Sequence, residues 1–170
     1  MDITNHPAVP EQVYCSVVVP FYNEEELVER FYNRLAKVMR ILDKSYEIIL
    51  VNDGSTDQTG ELLAEIAVRD PEVLLVDFKR NFGQTAALQA GFDHARGEII
   101  VALDGDMEND SFEIPIFLDK IEEGYDIVSG WRKRRQHGWL LRRIPSMAAN
   151  WMLKKISGVE LHDFGVTFKA

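Results

Sequence analysis

Two aspartates one residue apart follow a run of apolar residues, and this spacing suits metal chemistry. Asp104 and Asp106 come directly after EIIVAL at 98–103. Gly105 between them lets the backbone bend, so both carboxylates can face one hard cation such as Mg²⁺ or Mn²⁺, which would bridge them to a diphosphate. Glu108 is either a third oxygen ligand or a carboxylate that favours a helix start. An acidic turn without metal is the alternative for the whole pattern.

Polar residues also follow three other apolar runs. They are PFYNE at 20–24, NDGSTD at 52–57 and KRNFGQ at 79–84. In the second cluster, Gly54 indicates a turn of the chain. One of the three residues 55–57 is expected to cap the helix that follows. Asp53 is needed for neither role, so we assign it to ligand binding as the acceptor of an N–H from a nucleobase. Asn23 is either a helix cap or a pocket residue. Lys79 and Arg80, the two basic residues of the third cluster, lie either in a solvated turn or in contact with a pyrophosphate.

The elements that must position these clusters alternate along the chain. Short β-branched runs predict strands at 13–19, 46–51, 73–78, 98–103 and 125–130. Helical spacing of apolar residues predicts helices at 24–42, 57–69, 84–95 and 113–123. The alternation predicts an α/β fold with an open, mostly parallel, Rossmann-like sheet and helices on both faces. Ligands of such sheets bind beyond the carboxyl ends of the strands, where four polar clusters would meet.

Charge and composition narrow the class of protein. Residues 131–159 carry eight basic side chains and no acidic one, whereas the other 141 residues carry 11 basic and 28 acidic side chains. An acidic body argues against nucleic-acid binding, and the basic segment suits phosphate groups on a small ligand or an anionic membrane surface. The single cysteine, Cys15, excludes an internal disulfide and a cluster of thiolate ligands. The sequence also lacks the glycine-rich signatures of dinucleotide folds and P-loops, and it lacks the G-x-S-x-G elbow of hydrolases.

Length and local composition predict one domain over 1–170. We expect a loose arm at 1–12 and a long basic loop at 131–143. The final residues VTFKA stop within a strand-like run, so we expect the chain to be part of a longer protein. The first 12 residues contain no basic start followed by an apolar stretch, and no run of about 18 apolar residues occurs, so we expect this chain neither to enter the secretory route nor to span a membrane unaided.

Five motifs, in order and in register, resemble a known family. They are VVVPFYNEE at 17–25, VNDGSTD at 51–57, RNFGQTAALQAG at 80–91, ALDGDME at 102–108 and LHDFGVTFKA at 161–170. Together they resemble the family 2 inverting glycosyltransferases over about residues 14–170. The nearest branch is that of polyprenyl-phosphate sugar transferases similar to dolichol-phosphate mannose synthase.

The resemblance implies a glycosyltransferase A fold that uses a nucleotide-diphosphate sugar, with UDP or GDP as the nucleotide, and Mg²⁺ or Mn²⁺. The nucleoside pocket implied by the resemblance contains Pro20, Tyr22, Glu24 and Asp53, with Asp104 also reaching the nucleotide. Asp104 and Asp106 would be the catalytic metal and diphosphate pair. Glu108 would stand where the family usually has a glutamine that reaches the metal, and Gly105 replaces a usual alanine.

The acceptor side is implied in the same way. Arg132, Arg134 and Arg135 would bind the phosphate of a dolichyl or undecaprenyl phosphate, with Arg132 close to the reaction. Asp163 lies where related enzymes carry an acidic residue near the acceptor, and a charge at a strand edge is its alternative role. An NDSF turn at 109–112 departs from the proline-rich turn of the family, and the family's later acceptor elements are missing.

The expected reaction is metal-dependent sugar transfer to a polyprenyl phosphate with inversion, in assembly of the cell envelope. Transfer to a sugar hydroxyl, with Asp163 as base, is an alternative. A nucleotide-binding domain without turnover and a nucleotidyltransferase are two others. We expect a cytoplasmic location, either peripheral at the inner face of the membrane or as the soluble part of a membrane protein. Residues 144–156 have helical spacing that suits either a helix in the membrane interface or one in the core.

Overall fold

The computed structural model describes residues 2–4, 12–107, 111–130 and 169–170. The strands are β1 (Asp2–Thr4), β2 (Val13–Phe21), β3 (Tyr46–Asn52), β4 (Val73–Asp77) and β5 (Gly97–Ala102). The helices are α1 (Val28–Ile41), α2 (Thr59–Arg69), α3 (Gln84–His94) and α4 (Ile114–Glu122), the last preceded by a 3-10 turn at Ser111–Glu113. Four of the five predicted strands and all four predicted helices are confirmed. The expected basic loop at 131–143 and the segment 144–156 lie outside the described residues.

The strands form one sheet in the order β1-β4-β3-β2-β5. β2 lies in parallel between β3 and β5, with Val17 opposite Ile48 on one side and Val101 on the other. β4 extends the parallel sheet beyond β3. The chain therefore builds outward from β2 in one direction and then returns to add β5 on the opposite side. The two directions diverge between β2 and β5, which makes their carboxyl ends the topological switch point of the sheet.

Helices cover both faces of the sheet, as its long apolar strands predict. Successive strand residues point to opposite faces, so Val17 and Val19 belong to the core under α1, α2 and α4, whereas Val18 and Ile49 belong to the core under α3. α3 can pack closely on the sheet because Gly91 has no side chain. A Cβ at this position would lie 2.2 Å from Cγ1 of Val18. Among the described residues, no helix has the length and apolar composition that crossing a bilayer requires.

One edge of the sheet differs from the prediction. Asp2–Thr4, inside the arm expected to be loose at 1–12, forms β1 and pairs antiparallel with β4. β4 would otherwise be an edge strand with unpaired backbone groups, and a short added strand satisfies them.

The predicted strand at 125–130 is wrong for the described residues. Only Ser129 makes a strand-like bridge, and its partner is Lys169, which also bridges to Ala102 at the end of β5. Tyr125 is 59% exposed and Ile127 is 50% exposed, whereas Val128 packs against the core and exchanges backbone hydrogen bonds with Ala170. Its β-branched and aromatic composition is typical of strands, but an extended run becomes a strand only with partners along its length.

A buried ionic network joins the amino ends of three strands. Glu47 of β3 is 1% exposed. Its carboxylate accepts hydrogen bonds from the Ser16 hydroxyl (2.6 Å), the Arg96 backbone N–H (2.7 Å) and the Arg96 guanidinium (2.6 Å). Ser16 in turn accepts the N–H of Gly97, the first residue of β5, at 2.8 Å. This end of the sheet is opposite to the carboxyl ends where the polar clusters lie.

Candidate active site

The polar clusters meet at the switch point, as predicted. A cavity of about 460 Å³ lies at the carboxyl ends of the parallel strands, within the size range of small-molecule sites. All six predicted residues of this region that the structure describes line it: Pro20, Tyr22, Glu24, Asp53, Asp104 and Asp106. Pro20 lies within β2 next to its end, and Tyr22 and Glu24 follow that strand. Asp53 follows β3, and Asp104 and Asp106 follow β5.

Asp53 is the most buried carboxylate of the cavity, with 3% of the residue exposed. Its Oδ1 accepts the backbone N–H of Phe82 at 2.8 Å. Its Oδ2 accepts the side-chain amide of Asn81 and the backbone N–H of Gly83, both at 3.0 Å. Asp53 therefore holds the loop after β4 against the end of β3, a function that the sequence did not reveal.

The turn after Asp53 fits this loop tightly. Gly54 has φ of +64°, in the left-handed region that favours glycine. A Cβ at this position would lie 2.1 Å from the backbone carbonyl carbon of Arg80. Both conformation and space therefore require glycine here. Neither Lys79 nor Arg80 lines the cavity, and the Arg80 guanidinium lies over the Phe82 ring, 4.8 Å from its centroid.

The loops after β2 and β3 are joined by side-chain hydrogen bonds, which we call the β2–β3 clasp. Asn23, with φ of 53°, accepts the backbone N–H of Thr56 at 2.8 Å and donates its own N–H to the Ser55 hydroxyl at 3.0 Å. The N–H of Glu24 is donated to Thr59 Oγ1 at 2.9 Å. Asn23 therefore neither caps α1, which begins at Val28, nor lines the cavity.

Side chains from both loops accept N–H groups at the start of α2. The N-cap of this helix is Gln58, so the prediction of a cap among residues 55–57 is wrong, although Asp57 beside it accepts the N–H of Thr59, the first residue of α2, at 3.0 Å. Glu25 from the first loop accepts the N–H of Gln58 at 2.9 Å. These bonds therefore give acceptors to the N–H groups of Gln58 and Thr59, while the clasp fixes the backbone that carries Tyr22 and Glu24.

The two paired aspartates differ in environment. Asp104 is half-buried and its Oδ1 accepts a hydrogen bond from the Gln84 side chain at 2.6 Å. Asp106 is exposed at the mouth of the cavity. Gln84 is the first residue of α3 and also lines the cavity, so it orients Asp104 from the neighbouring loop. Gln84 belongs to the third polar cluster, and its position at a predicted helix start was the signal that could have given it this role.

The carboxylates concentrate negative charge in the cavity. Burial raises the pKa of Glu24, and the nearby carboxylates of Asp106 and Asp57 raise it further. A cation beside them would relieve this repulsion. Within the part of the chain that the structure describes, no group of three or more His, Cys, Asp or Glu side chains is arranged to hold a metal ion.

Five predicted residues lie outside the described residues. They are Glu108, Arg132, Arg134, Arg135 and Asp163. Their assignment to the metal and to the acceptor therefore stays a prediction.

An open parallel sheet with a carboxylate-lined cavity at its switch point defines a ligand-binding α/β domain. Residues 16–168 match the family described as glycosyl transferase family 2. The chain belongs to this family, and the resemblance noted in its motifs is confirmed.

Two relatives illustrate the branch to which the chain is similar. It is 44% identical over 168 residues to a dodecaprenyl-phosphate galacturonate synthase of Rhizobium johnstonii, covering 98% of this chain and 49% of the relative. It is 40% identical over 156 residues to an undecaprenyl-phosphate 4-deoxy-4-formamido-L-arabinose transferase of Proteus mirabilis, covering 91% of this chain and 48% of the relative. The chain therefore spans about half the length of these two relatives.

A solved structure supports the fold. Glucosyl-3-phosphoglycerate synthase of Mycobacterium tuberculosis, in complex with phosphoglyceric acid, aligns with a TM-score of 0.65 at 20% identity. The alignment covers 92% of this chain and 56% of the other. The chain thus has the glycosyltransferase A fold that its motifs implied.

Proposed function

We propose that the chain is the catalytic domain of a glycosyltransferase that moves a sugar from a nucleotide-diphosphate sugar to a polyprenyl phosphate, with inversion at the anomeric carbon. The observation that carries this proposal is the meeting of the nucleoside residues and the paired aspartates in one cavity at the switch point. The names of the two relatives, both of which are polyprenyl-phosphate sugar transferases, support the choice of acceptor.

Asp53 has the capacity to bind a nucleobase while it holds the loop. A carboxylate offers about four lone-pair sites, and three are used by Asn81, Phe82 and Gly83. The remaining site is on Oδ1, which has a single described partner. An N–H of uracil or guanine would occupy it. Tyr22, which is 46% exposed at the rim, is available to stack on the base or the ribose.

The donor set fits Mg²⁺ or Mn²⁺. Asp104 and Asp106 offer hard carboxylate oxygens, and a Mg²⁺ site commonly uses one or two carboxylates completed by phosphate oxygens and water. The charge repulsion that raises the pKa of Glu24 also favours a cation here. When bound, such a cation neutralises the charge that develops on the leaving diphosphate. Asp104 and Asp106 would hold it, and Gln84 would keep Asp104 in place.

The acceptor explains why no strong base is required. A polyprenyl phosphate is already an anion, so one of its oxygens can attack the anomeric carbon directly. A new carbon–oxygen bond forms, the bond from that carbon to the diphosphate breaks, and the nucleoside diphosphate leaves with the electron pair. Arg132, Arg134 and Arg135 would hold the incoming phosphate through charge-assisted hydrogen bonds. Transfer to a sugar hydroxyl would instead require a base such as Asp163.

The donor side is tested by thermal shift with UDP and GDP, each with and without Mn²⁺. A ligand that binds the native state raises stability by RT ln(1 + [L]/Kd), so the nucleotide that fits the cavity should raise the midpoint, and Mn²⁺ should increase the effect. AMP with Mn²⁺ is the control for unspecific binding. No shift with either diphosphate would contradict the donor assignment.

The acceptor side is tested with a radiolabelled donor sugar and undecaprenyl phosphate. The label should move into the organic phase if the product is a lipid-linked sugar. Label that moves only to a water-soluble saccharide acceptor would indicate transfer to a hydroxyl. Binding of nucleotide without any transfer would indicate a nucleotide-binding domain, and release of pyrophosphate from a nucleoside triphosphate would indicate a nucleotidyltransferase.

We also propose that the basic segment at 131–159 associates with an anionic membrane surface. Its eight basic and no acidic side chains support this. Anionic liposomes should retain the chain at 0.1 M salt, where the Debye length is about 10 Å, and release it at 1 M salt, where it is about 3 Å. Equal retention on neutral liposomes would contradict an electrostatic attachment.

A further inference from the structure

The turn that carries the paired aspartates rests on an aromatic ring. Gly105 lies between the two carboxylates and is buried. A Cβ added to it would lie 2.5 Å from Cε1, 2.7 Å from Cδ1 and 2.9 Å from Cζ of Phe21. The φ of Gly105 lies outside the left-handed region, so other residues could adopt its backbone conformation. Glycine is therefore required at this position by lack of space above the ring.

The Phe21 ring has little freedom to move aside. The residue is 2% exposed and is the last residue of β2, which lies between β3 and β5 in the sheet. Its ring packs edge-on against Phe31 of α1, with centroids 5.5 Å apart and planes at 87°. Displacement of the ring would disturb this pair and the core beneath it, because interiors are close-packed.

The backbone of Phe21 acts on the other half of the cavity. Its carbonyl accepts the N–H of Asp53 at 2.9 Å, and Phe21 is paired with Asn52 in the sheet. The same residue therefore fixes Asp53 through its main chain and supports the turn of Asp104 and Asp106 through its side chain.

We propose that Phe21 is a positioning residue for the metal-binding turn, and that Gly105 is the residue that lets this turn rest on the Phe21 ring. The inference depends on the proposed role of Asp104 and Asp106. Asp53, on the nucleoside side of the cavity, is held by the Phe21 carbonyl, whereas the turn of Asp104 and Asp106 is held by the Phe21 ring. Changes to the ring should therefore affect metal-dependent binding more than metal-independent nucleotide binding.

Three variants test the arrangement: Gly105→Ala, Phe21→Val and the two combined. Valine lacks the δ, ε and ζ atoms that a Cβ at position 105 would meet, and its β-branched side chain suits a strand end. Met39→Ala is the control for lost stability, since Met39 is fully buried near the far end of α1, away from the cavity. The probes are UDP and GDP, titrated calorimetrically with and without MnCl₂ at a temperature at which all variants are folded.

Gly105→Ala should lower the Mn²⁺-dependent affinity by about tenfold or more, because overpacking lifts the turn from the ring. Affinity without Mn²⁺ should stay within about twofold, since the Asp53 contact to the Phe21 carbonyl is unchanged. The combined variant should bind in Mn²⁺ within about threefold of wild type, although Phe21→Val alone is impaired. Met39→Ala should lower the unfolding midpoint without changing the Mn²⁺ dependence.

The outcomes separate this inference from the proposed function. Gly105→Ala with an unchanged response to Mn²⁺, or a combined variant no better than Gly105→Ala, would overturn the positioning role while leaving the metal site intact. A wild type whose nucleotide affinity does not respond to Mn²⁺ would overturn the metal assignment itself, and the positioning role with it.

Discussion

Replacement of Asp53 by asparagine tests whether one carboxylate holds the loop at 81–83. Asparagine preserves shape but presents one oxygen and one NH₂ group. If the NH₂ takes the place of Oδ1, it faces the N–H of Phe82 and one hydrogen bond is lost. If it takes the place of Oδ2, the bonds from Asn81 and Gly83 are both lost. The first orientation costs less, so the part-buried N–H of Phe82 is left without its acceptor.

The magnitude follows from this count. An unsatisfied buried donor costs about 1–3 kcal/mol, and the two remaining bonds lose the strength that a charged acceptor gives. We therefore expect Asp53→Asn to lower the free energy of unfolding by about 2 kcal/mol. For a chain of 170 residues this corresponds to a fall in melting temperature of roughly 4–8 °C. Nucleotide affinity should also fall, by about tenfold, because an acceptor for the base N–H becomes a donor.

The assay is urea denaturation at 25 °C, combined with hydrogen exchange of the Phe82 and Gly83 amides. Asp43→Asn is the matched control, since Asp43 is exposed and its replacement should change stability by less than about 0.5 kcal/mol. Exchange at the two loop amides should increase in Asp53→Asn and stay unchanged in the control. If both variants unfold at the same urea concentration with the same loop protection, the hydrogen bonds of Asp53 do not hold the loop.

Three further predictions concern other parts of the structure. Asp106→Asn, at an exposed position, should change the free energy of unfolding by less than about 0.5 kcal/mol. In calorimetry it should abolish the Mn²⁺-dependent part of UDP or GDP binding. Retained Mn²⁺ dependence would show that Asp106 is not part of the metal site. Asn23→Ala should lower stability by about 1 kcal/mol and weaken nucleotide binding, whereas Asn23→Asp, which keeps the acceptor oxygen and tolerates the left-handed backbone, should retain most of both; equal losses would contradict the clasp. Burial raises the pKa of Asp70, but hydrogen bonds from Tyr32 and other donors outweigh burial, so the pKa is lowered. The ionised Asp70 should therefore stabilise the fold above about pH 4, and this stabilisation should disappear as the pH falls below that value. Tyr32→Phe should therefore flatten the acid side of a plot of urea midpoint against pH, and an unchanged slope would show that this hydrogen bond does not perturb Asp70.

The strands and the convergence of their polar ends could be predicted because both depend on local patterns. A strand buried on both faces is a short apolar run, and the polar residues that end it mark the carboxyl edge of the sheet. Parallel order then brings Pro20, Asp53 and Asp104 to the same edge without any knowledge of their contacts.

The contacts themselves could not be predicted, because they join residues far apart in the chain. Asp53 binds a loop about thirty residues later, and Asn23 binds Thr56 instead of its own helix. Gly105 illustrates the same difficulty, since a glycine in a turn suggests backbone freedom, yet here the reason is the ring of Phe21. Such requirements depend on tertiary packing, which the local pattern does not contain.

The Glu47 network gives the two ends of the sheet different tolerance to mutation. Glu47 is buried while the Arg96 side chain is 36% exposed, so loss of Arg96 or Ser16 would leave a buried carboxylate with fewer donors, which is destabilising. Glu47, Ser16 and Arg96 are therefore expected to change together or not at all during divergence. The loops at the opposite end carry the proposed ligand contacts and take no part in this network. A library aimed at the proposed donor site would for this reason keep the amino ends of the strands, Gly54 and Gly105, and would vary exposed cavity residues such as Tyr22.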